Sequence, residues 1–514
     1  MTRPPLAAFA RSRWLFLRLL GVVYLIAFVS LGSQITGLVG GHGILPVGEF
    51  LDQVRELYGF RAYYYRPTLV WLSPSDTLLV SLCWGGAVAS LLLIAGIVPT
   101  ATTAVLWLLY LSLTTAGQLF LEFQWDALLL ETGLLAVLYA APVWRSRLGV
   151  DPEPPAVVRW TLWLLAFKLT FLSGVTKLLS GDATWASWSA LSYHYETQPI
   201  PAWTSWFMYQ LPQGVHYWST AGMLLIELVV PWLIFLPPRF GRARLTACVL
   251  MILLQLAIGL TGNYGFFNLL TVVLYLSLLD DRTLSRFLPH GRAHNPASHE
   301  RRHGPASWRI GANIVALGIA VLSVMTLFRE IDRTRGRRGP FDLNWPGELL
   351  AWVSPLDSIN GYGLFRVMTT ERPEIVIEVS EDGAVWKERE FKWKPGIVTG
   401  RPRFMEPHMP RLDWQMWFAA LSPRSAQDWL LRLVARVLDD ETAVTRLLGP
   451  NPLEGRPRYV RLAYYQYHFT SAPERAKTGA WWKREFVGYL TGPIEADRRR
   501  DRDTEEKSSP PGRQ

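Results

Sequence analysis

Two imidazoles one helical turn apart around a glutamate, His299-Glu300-Arg301-Arg302-His303, spell a pattern that on a helix holds zinc and supplies a carboxylate base. The flanks argue against that use. Pro296 precedes, Gly304-Pro305 follows, no third ligand lies nearby and the stretch is a basic loop, so no metal is expected and His290 and His294 read as solvated loop residues. The other residues with chemical potential are charges set inside apolar runs: Glu131, Lys168, Lys177 and Glu227. An ionisable group in hydrocarbon costs roughly 3 kcal/mol unless it faces a partner or water. These four therefore read in two ways. They are ion pairs that fix helix register, or Lys177 is a desolvated amine serving as a base, with Glu131 or Glu227 as its partner. Gln118, Gln124 and Asp126 add polar groups that suit hydrogen bonding between helices. No phosphate-cradling loop, nucleophile elbow or dinucleotide fingerprint is present in the sequence, and no cofactor is expected.

The elements that must position these charges are membrane spans. Of 514 residues, 50% are hydrophobic and 18% charged, with 24 Trp, 23 Phe and 19 Tyr, which excludes disorder, collagen and coiled coil. A span needs about 20 apolar residues in a helix. Stretches that fit run from Trp14 to Leu38, Thr77 to Val98, Thr102 to Phe123, Trp125 to Ala141, Val157 to Leu179, Val215 to Leu236, Ala243 to Leu260, Phe266 to Leu279 and Trp308 to Phe328, about nine in all. Both cysteines, Cys83 and Cys248, fall inside such runs, leaving no disulfide framework.

The net charge of +10 invites a nucleic-acid reading, but the arginines sit between apolar runs, where they report topology. Arg3, Arg11 and Arg13, then Arg145, Arg147 and Arg159, then Arg239, Arg242 and Arg244, then Arg282, Arg286, Arg292, Arg301 and Arg302 all alternate onto one side. The segments Ser180–Gly214 and Thr261–Gly265 on the other side carry no Lys or Arg. That makes the N-terminus cytoplasmic and the C-terminal part periplasmic, extracellular or lumenal. Arg329, Arg333, Arg335, Arg337 and Arg338 follow the last span against this rule, and an even span count would move the tail to the cytoplasm. The segment Ser180–Gly214 is crowded with Trp185, Trp188, Tyr193, Tyr195, Trp203 and Trp206, an interfacial belt or a platform for an apolar partner.

Three domains are expected: a helical membrane domain over 1–338, a β-rich far-side domain over 339–494 and a disordered charged tail over 495–514. In the second, Glu374–Ser380, the turn Glu381-Asp382-Gly383 and Val385–Trp393 predict a β-hairpin, and Tyr459–Thr470 another strand. Arg411–Leu421 and Ala426–Leu438 have helical spacing, with Trp414, Trp417, Phe418 and Leu421 on one stripe. A β-sandwich with an inserted helical pair is expected.

The string Gly117–Leu134 (GQLFLEFQWDALLLETGL) resembles the signature of the lipase maturation factor family, as do Pro199–Pro201, Gly262–Leu270, Tyr362–Arg366, Arg372–Glu378, Pro407–Leu421 and Asn451-Pro452. The resemblance implies a multi-span membrane protein whose C-terminal domain faces the secretory lumen and helps secreted lipases fold and assemble. Gly174–Leu178 (GVTKL), with Asp182 and Trp185, is also similar to the membrane segment of vitamin K-dependent γ-carboxylase, Lys177 standing where that family has its basic lysine. The expected function is thus a membrane chaperone for a secreted client such as a lipase, with Trp414, Trp417, Asp413, Arg411 and His408 as client contacts; the alternative is an intramembrane enzyme using Lys177. A transporter is disfavoured by the lack of an inverted repeat. No N-x-[ST] sequon occurs, so a bacterial plasma membrane is preferred over the endoplasmic reticulum.

Overall fold

A computed structural model describes residues 8–148, 150–237, 240–287, 304–342 and 344–496. His299–His303 and the tail beyond 496 lie outside them. Among the described residues six helices are long and apolar enough to cross a membrane: α1 (Ala10–Gly32), α2 (Asp76–Ala95), α5 (Ala156–Leu179), α6 (Gln213–Leu228, continued as a 3-10 turn to Phe235), α7 (Gly241–Thr261) and α9 (Ala306–Thr334). This corrects the expected nine. The remaining apolar stretches form α3 (Pro99–Ala116), α4 (Gln124–Tyr139) and α8 (Phe267–Leu276). Five threonines dilute α3, whereas α4 and α8 have 16 and 10 residues and are almost wholly buried. A helix enclosed on all sides by protein is apolar all round, as a span is, and hydropathy alone does not separate the two. The first expected span is also shorter than it read. It ends at Gly32, and Gln34 turns back so that its amide bonds the Ser30 carbonyl at 2.8 Å.

The helix α1 sets the distance between the two ends of the bundle. Near its start, Arg11 N bonds Asp281, Arg13 reaches the Pro152 carbonyl and Arg18 the Ser146 carbonyl. Some 17 residues later, roughly 25 Å at helical rise, Ser30 and Gln34 bond the C-terminal part of the chain at His408, Met409 and Arg411. The arginine-bearing connections and the C-terminal unit thus lie at opposite ends of α1. Packing within the bundle uses small residues where helices approach closely. At Gly86 of α2 an added Cβ would stand 2.4 Å from the Phe28 ring of α1, while at the adjacent Gly85 it would meet nothing within 4 Å.

After α9 comes a short helix, α10 (Asn344–Val353), and then the C-terminal unit. It contains one antiparallel sheet in the order β2-β1-β3-β4, from β1 (Arg372–Ser380), β2 (Lys387–Arg389), β3 (Tyr459–Phe469) and β4 (Trp482–Tyr489), with β5 (Ile494–Glu495) also on β3. The β1–β3 register runs from Arg372 opposite Tyr467 to Ser380 opposite Tyr459. A sandwich is therefore corrected to a single sheet. The helices α11 (Arg411–Leu421) and α12 (Pro423–Leu438) pack against β1 and β3 and take the place of a second sheet. The expected hairpin is present but short. Gly383 has φ +76° and Asp382 caps the turn through Ala384 N and Val385 N, yet only Lys387–Arg389 pair with β1. Ile494 and Glu495, which straddle the expected start of the tail, pair with Val460 and Tyr459 of β3.

Close contact at Gly86 makes a discriminating pair. Gly86→Val should lower the melting temperature of the detergent-solubilised protein, with overpacking costing about 1–3 kcal/mol, whereas Gly85→Val should leave it unchanged.

Candidate functional site

Two buried carboxylates of the bundle, Asp126 and Glu131, meet the C-terminal part of the chain. Arg411, at the first position of α11, is fully buried and grips Asp126 of α4 with two nitrogens, Nη1 at 2.5 Å from Oδ2 and Nη2 at 2.7 Å from Oδ1. It also donates to the Phe120 carbonyl at 3.1 Å, and Tyr110 of α3 donates to Asp126 Oδ1 at 2.5 Å. A planar guanidinium matches a carboxylate in this forked geometry, which a lysine does not reproduce. Backbone bonds extend the contact: Arg411 N donates to Gln34 Oε1 at 2.9 Å, Gln34 Nε2 to the Met409 carbonyl at 2.7 Å and Met409 N to Ser30 Oγ at 2.9 Å.

Two further sets of contacts flank this one. Glu131 of α4 pairs with Lys168 of α5 at 2.5 Å, and its other oxygen accepts from Tyr362 Oη at 2.7 Å and Asn360 N at 3.1 Å. The intra-membrane pair thereby also holds the segment that leads into the sheet. On the other flank the guanidinium of Arg372 in β1 donates to the carbonyls of Glu196, Gln198 and Pro199 and pairs with Glu374 at 2.8 Å. The aromatic segment Ser180–Gly214 is thus a platform for the chain's own C-terminal unit: Trp185 Nε1 donates to the Phe365 carbonyl and Trp206 Nε1 to the Thr470 carbonyl.

Several carboxyls at this joint sit away from their ordinary range. Burial pushes Asp413 up to about 6 although it accepts from Trp393 N and Lys394 N. Burial likewise raises Glu406, which accepts from Tyr264 N, to about 7. Asp357 rises to about 7 through burial, reinforced by Asp126, Glu131 and Glu122. His408, 3.0 Å from Ser30 Oγ, is lowered to about 4 by burial and by Arg411 and Lys392.

Two family models divide the chain at this joint. The lipase maturation factor transmembrane domain matches residues 11–286 and the lipase maturation factor C-terminal domain residues 358–492. The chain belongs to the lipase maturation factor family. It is 36% identical to lipase maturation factor 2 of Gallus gallus, covering 95% of this chain and 81% of that one. With lipase maturation factor 2 of Homo sapiens the identity is 35%, over 92% and 81%, and with lipase maturation factor 1 of Bos taurus 32%, over 94% and 89%. No solved structure matches it. In this family member the Asp126–Arg411 pair joins one matched segment to the other.

The residues expected to contact a client fall at this same joint. Arg411, Asp413, Trp414 and Trp417 are buried and His408 is half-buried. Trp414 packs on Trp125 at 4.8 Å between ring centroids, and Trp417 Nε1 donates to the Thr197 carbonyl. The expectation that the four buried residues form an open client surface is therefore corrected: their stripe faces the bundle and α11's own sheet, as the apolar stripe of a helix usually does. Lys177 meets Glu227, both carboxylate oxygens at 2.7 Å, and stands 5.2 Å from the Trp185 ring centroid. Glu131, the other expected partner of Lys177, is committed to Lys168. Sequence reading missed Tyr110, Gln34, Tyr362, Glu406 and Arg372, uncharged or C-terminal residues; Tyr110 lies 16 positions from Asp126, but the other four meet partners 142 to 377 positions away. The blocks holding Asp126 and Arg411 were visible, but nothing in them announced that they meet.

Breaking a buried pair leaves an uncompensated charge and costs about 3–5 kcal/mol. Arg411→Met and Asp126→Leu should each loosen the C-terminal unit, read as faster hydrogen exchange at β1 and β3, and the double variant should recover much of the loss. A second expectation concerns pH. A carboxyl raised in the folded state contributes stability below its unfolded value that is lost as pH climbs through the folded value, so Asp357 costs stability between about pH 4 and 7. Asp357→Asn should raise the melting temperature at pH 8 and change it little at pH 4; His408 and His194, both lowered, act in the opposite sense in parent and variant alike.

Proposed function

We propose that this family member is a membrane chaperone that assists folding or assembly of secreted proteins such as lipases, with the C-terminal unit on the exported side and the N-terminus in the cytoplasm. Relatives named lipase maturation factor along most of the chain support the client class. Arginine-bearing connections at one end of α1 and the C-terminal unit at the other support the orientation, and the even count of six long helices does not reverse it, because the shorter α3, α4 and α8 also run between those two ends. A bacterial plasma membrane is preferred for want of sequons.

One observation carries the client-binding reading. β4 is a sheet edge: its residues 483–489 pair with β3, and among the described residues no other backbone bond engages them. Phe486, Val487 and Tyr489 are exposed beside it. Unpaired backbone groups flanked by apolar side chains suit an extended, unfolded segment, which adds as a further strand. The buried stripe of α11 then serves as the clamp that holds this edge at a fixed height above the membrane.

In cells lacking the protein, a secreted lipase client should be made but accumulate inactive, and re-expression should restore its activity. Phe486→Lys with Val487→Lys should abolish co-isolation of the client while the variant keeps its parent's melting temperature. Lys177→Met supplies the competing outcome. Loss of activity with normal expression and unchanged client binding would favour an intramembrane enzyme over the chaperone.

A further inference from the structure

The lipid-facing side of α9 is a stripe of exposed residues, Ile310, Ile314, Leu317, Val321, Val324 and Phe328, spaced three and four apart. It ends where Phe328 stacks on Phe341, ring centroids 5.9 Å apart. There the chain turns, and α10 begins a second stripe: Trp345, Leu349, Trp352 and Leu356 recur at the same spacing, and Trp345 and Trp352 are each 68% exposed. The opposite side of α10 is turned inward at Leu350, which is buried. Just beyond it Ser358 accepts from Trp107 of α3 and Asn360 N donates to Glu131 of α4, so the chain leaving α10 is packed on the bundle and not out on the C-terminal unit.

A second element shares this surface. The helix Val47–Tyr58 and the turns after it, Gly59–Arg61 and Ala62–Tyr65, expose Leu57, Tyr58, Tyr63, Tyr64 and Tyr65, with Phe60 at 89%. Tyr64 Oη donates to the Trp352 carbonyl, tying the two elements into one patch. Arg55, Arg61 and Arg66 lie in or just after the first of these elements and Arg335, Arg337 and Arg338 just before α10, all exposed, against the exposed Glu49, Asp52, Glu56 and Glu348.

We propose that this patch is seated in the headgroup layer of the leaflet on the C-terminal side, where its aromatic rings lie at the acyl boundary and its arginines pair with anionic phospholipid headgroups. The occupant follows from continuity: the Phe328–Phe341 stack carries the exposed apolar stripe of a helix long enough to span the membrane onto α10. Tyr and Trp suit an interface because one end of each ring is apolar and the other polar. An amphipathic helix lying in that plane buries its apolar side a few ångströms deep, roughly 5–10 Å, and its basic rim is attracted by anionic lipid. The arginines after α9, which run against the usual cytoplasmic bias, then have a partner on the far side.

The two native thiols are buried, so an introduced cysteine takes a spin label selectively. Full-length protein carrying Phe60→Cys, Trp352→Cys or Val385→Cys is reconstituted in bilayers of phosphatidylcholine with phosphatidylglycerol, and collisions with oxygen and with a water-soluble nickel chelate are measured. Val385 is exposed in the β1–β2 turn and reports water. The ratio of oxygen to nickel collisions should be several-fold higher at 60 and 352 than at 385. Equal ratios at all three sites would overturn the proposal and mark the patch as a water-facing surface for a protein. Replacing phosphatidylglycerol by phosphatidylcholine should reduce the ratio at 60 and 352, and Arg61→Gln with Arg66→Gln should abolish that lipid dependence. A ratio that ignores both changes would overturn the anionic-headgroup assignment. Trp345→Cys repeats the reading should labelling at 352 disturb folding.

Discussion

An arginine withdrawn from water needs acceptors, and Arg411 finds a carboxylate in another part of the chain, in α4 of the helical bundle. Much else follows from that pairing. Gln34 and Ser30 at the end of α1 are turned toward the same place, Tyr110 completes the coordination of Asp126, and the tryptophans of α11 pack against Trp125 and the Thr197 carbonyl. The apolar core shows the same continuity, a single cluster reaching from Phe16 in α1 to Leu462 in β3. Bundle and C-terminal unit therefore share one core as far as β3, while Trp482 of β4 joins a second cluster with Trp206 of the aromatic platform.

The two other buried pairs have different weight. Lys168–Glu131 is also a joint contact, because Tyr362 and Asn360 lean on the same carboxylate. Lys177–Glu227 links α5 to α6 beneath the aromatic platform, with Trp185 over the ammonium. Ion pairs of this sort add little net stability compared with apolar packing but penalise every arrangement that separates them.

Much of the architecture was legible because local chemistry and tertiary outcome agree. The alternating run of β3, the Asp-Gly turn and the stripe of α11 each specify their own element, and in-span charges announced pairing even though periodicity could not say with whom. What misled was burial of a different origin: α4 and α8 are apolar because protein surrounds them, so they read as spans. The helices on the sheet replaced an expected second sheet since α12 buries Trp429, Leu430, Leu433 and Val437 directly against the core. Trp414 and Trp417 read as an open aromatic stripe, but they fill a joint: Trp414 packs on Trp125 and Trp417 donates to the Thr197 carbonyl.

The separation of the joint's two charges along the chain has a consequence for biosynthesis. Asp126 leaves the ribosome 285 residues before Arg411. At ordinary translation speeds of roughly 5–20 residues per second the carboxylate waits about 15–60 s for its counter-ion. During that interval Asp126 has only Tyr110 to donate to it, and a proton or water must stand in for the missing guanidinium, so insertion of the bundle passes through a stage that the finished protein no longer shows.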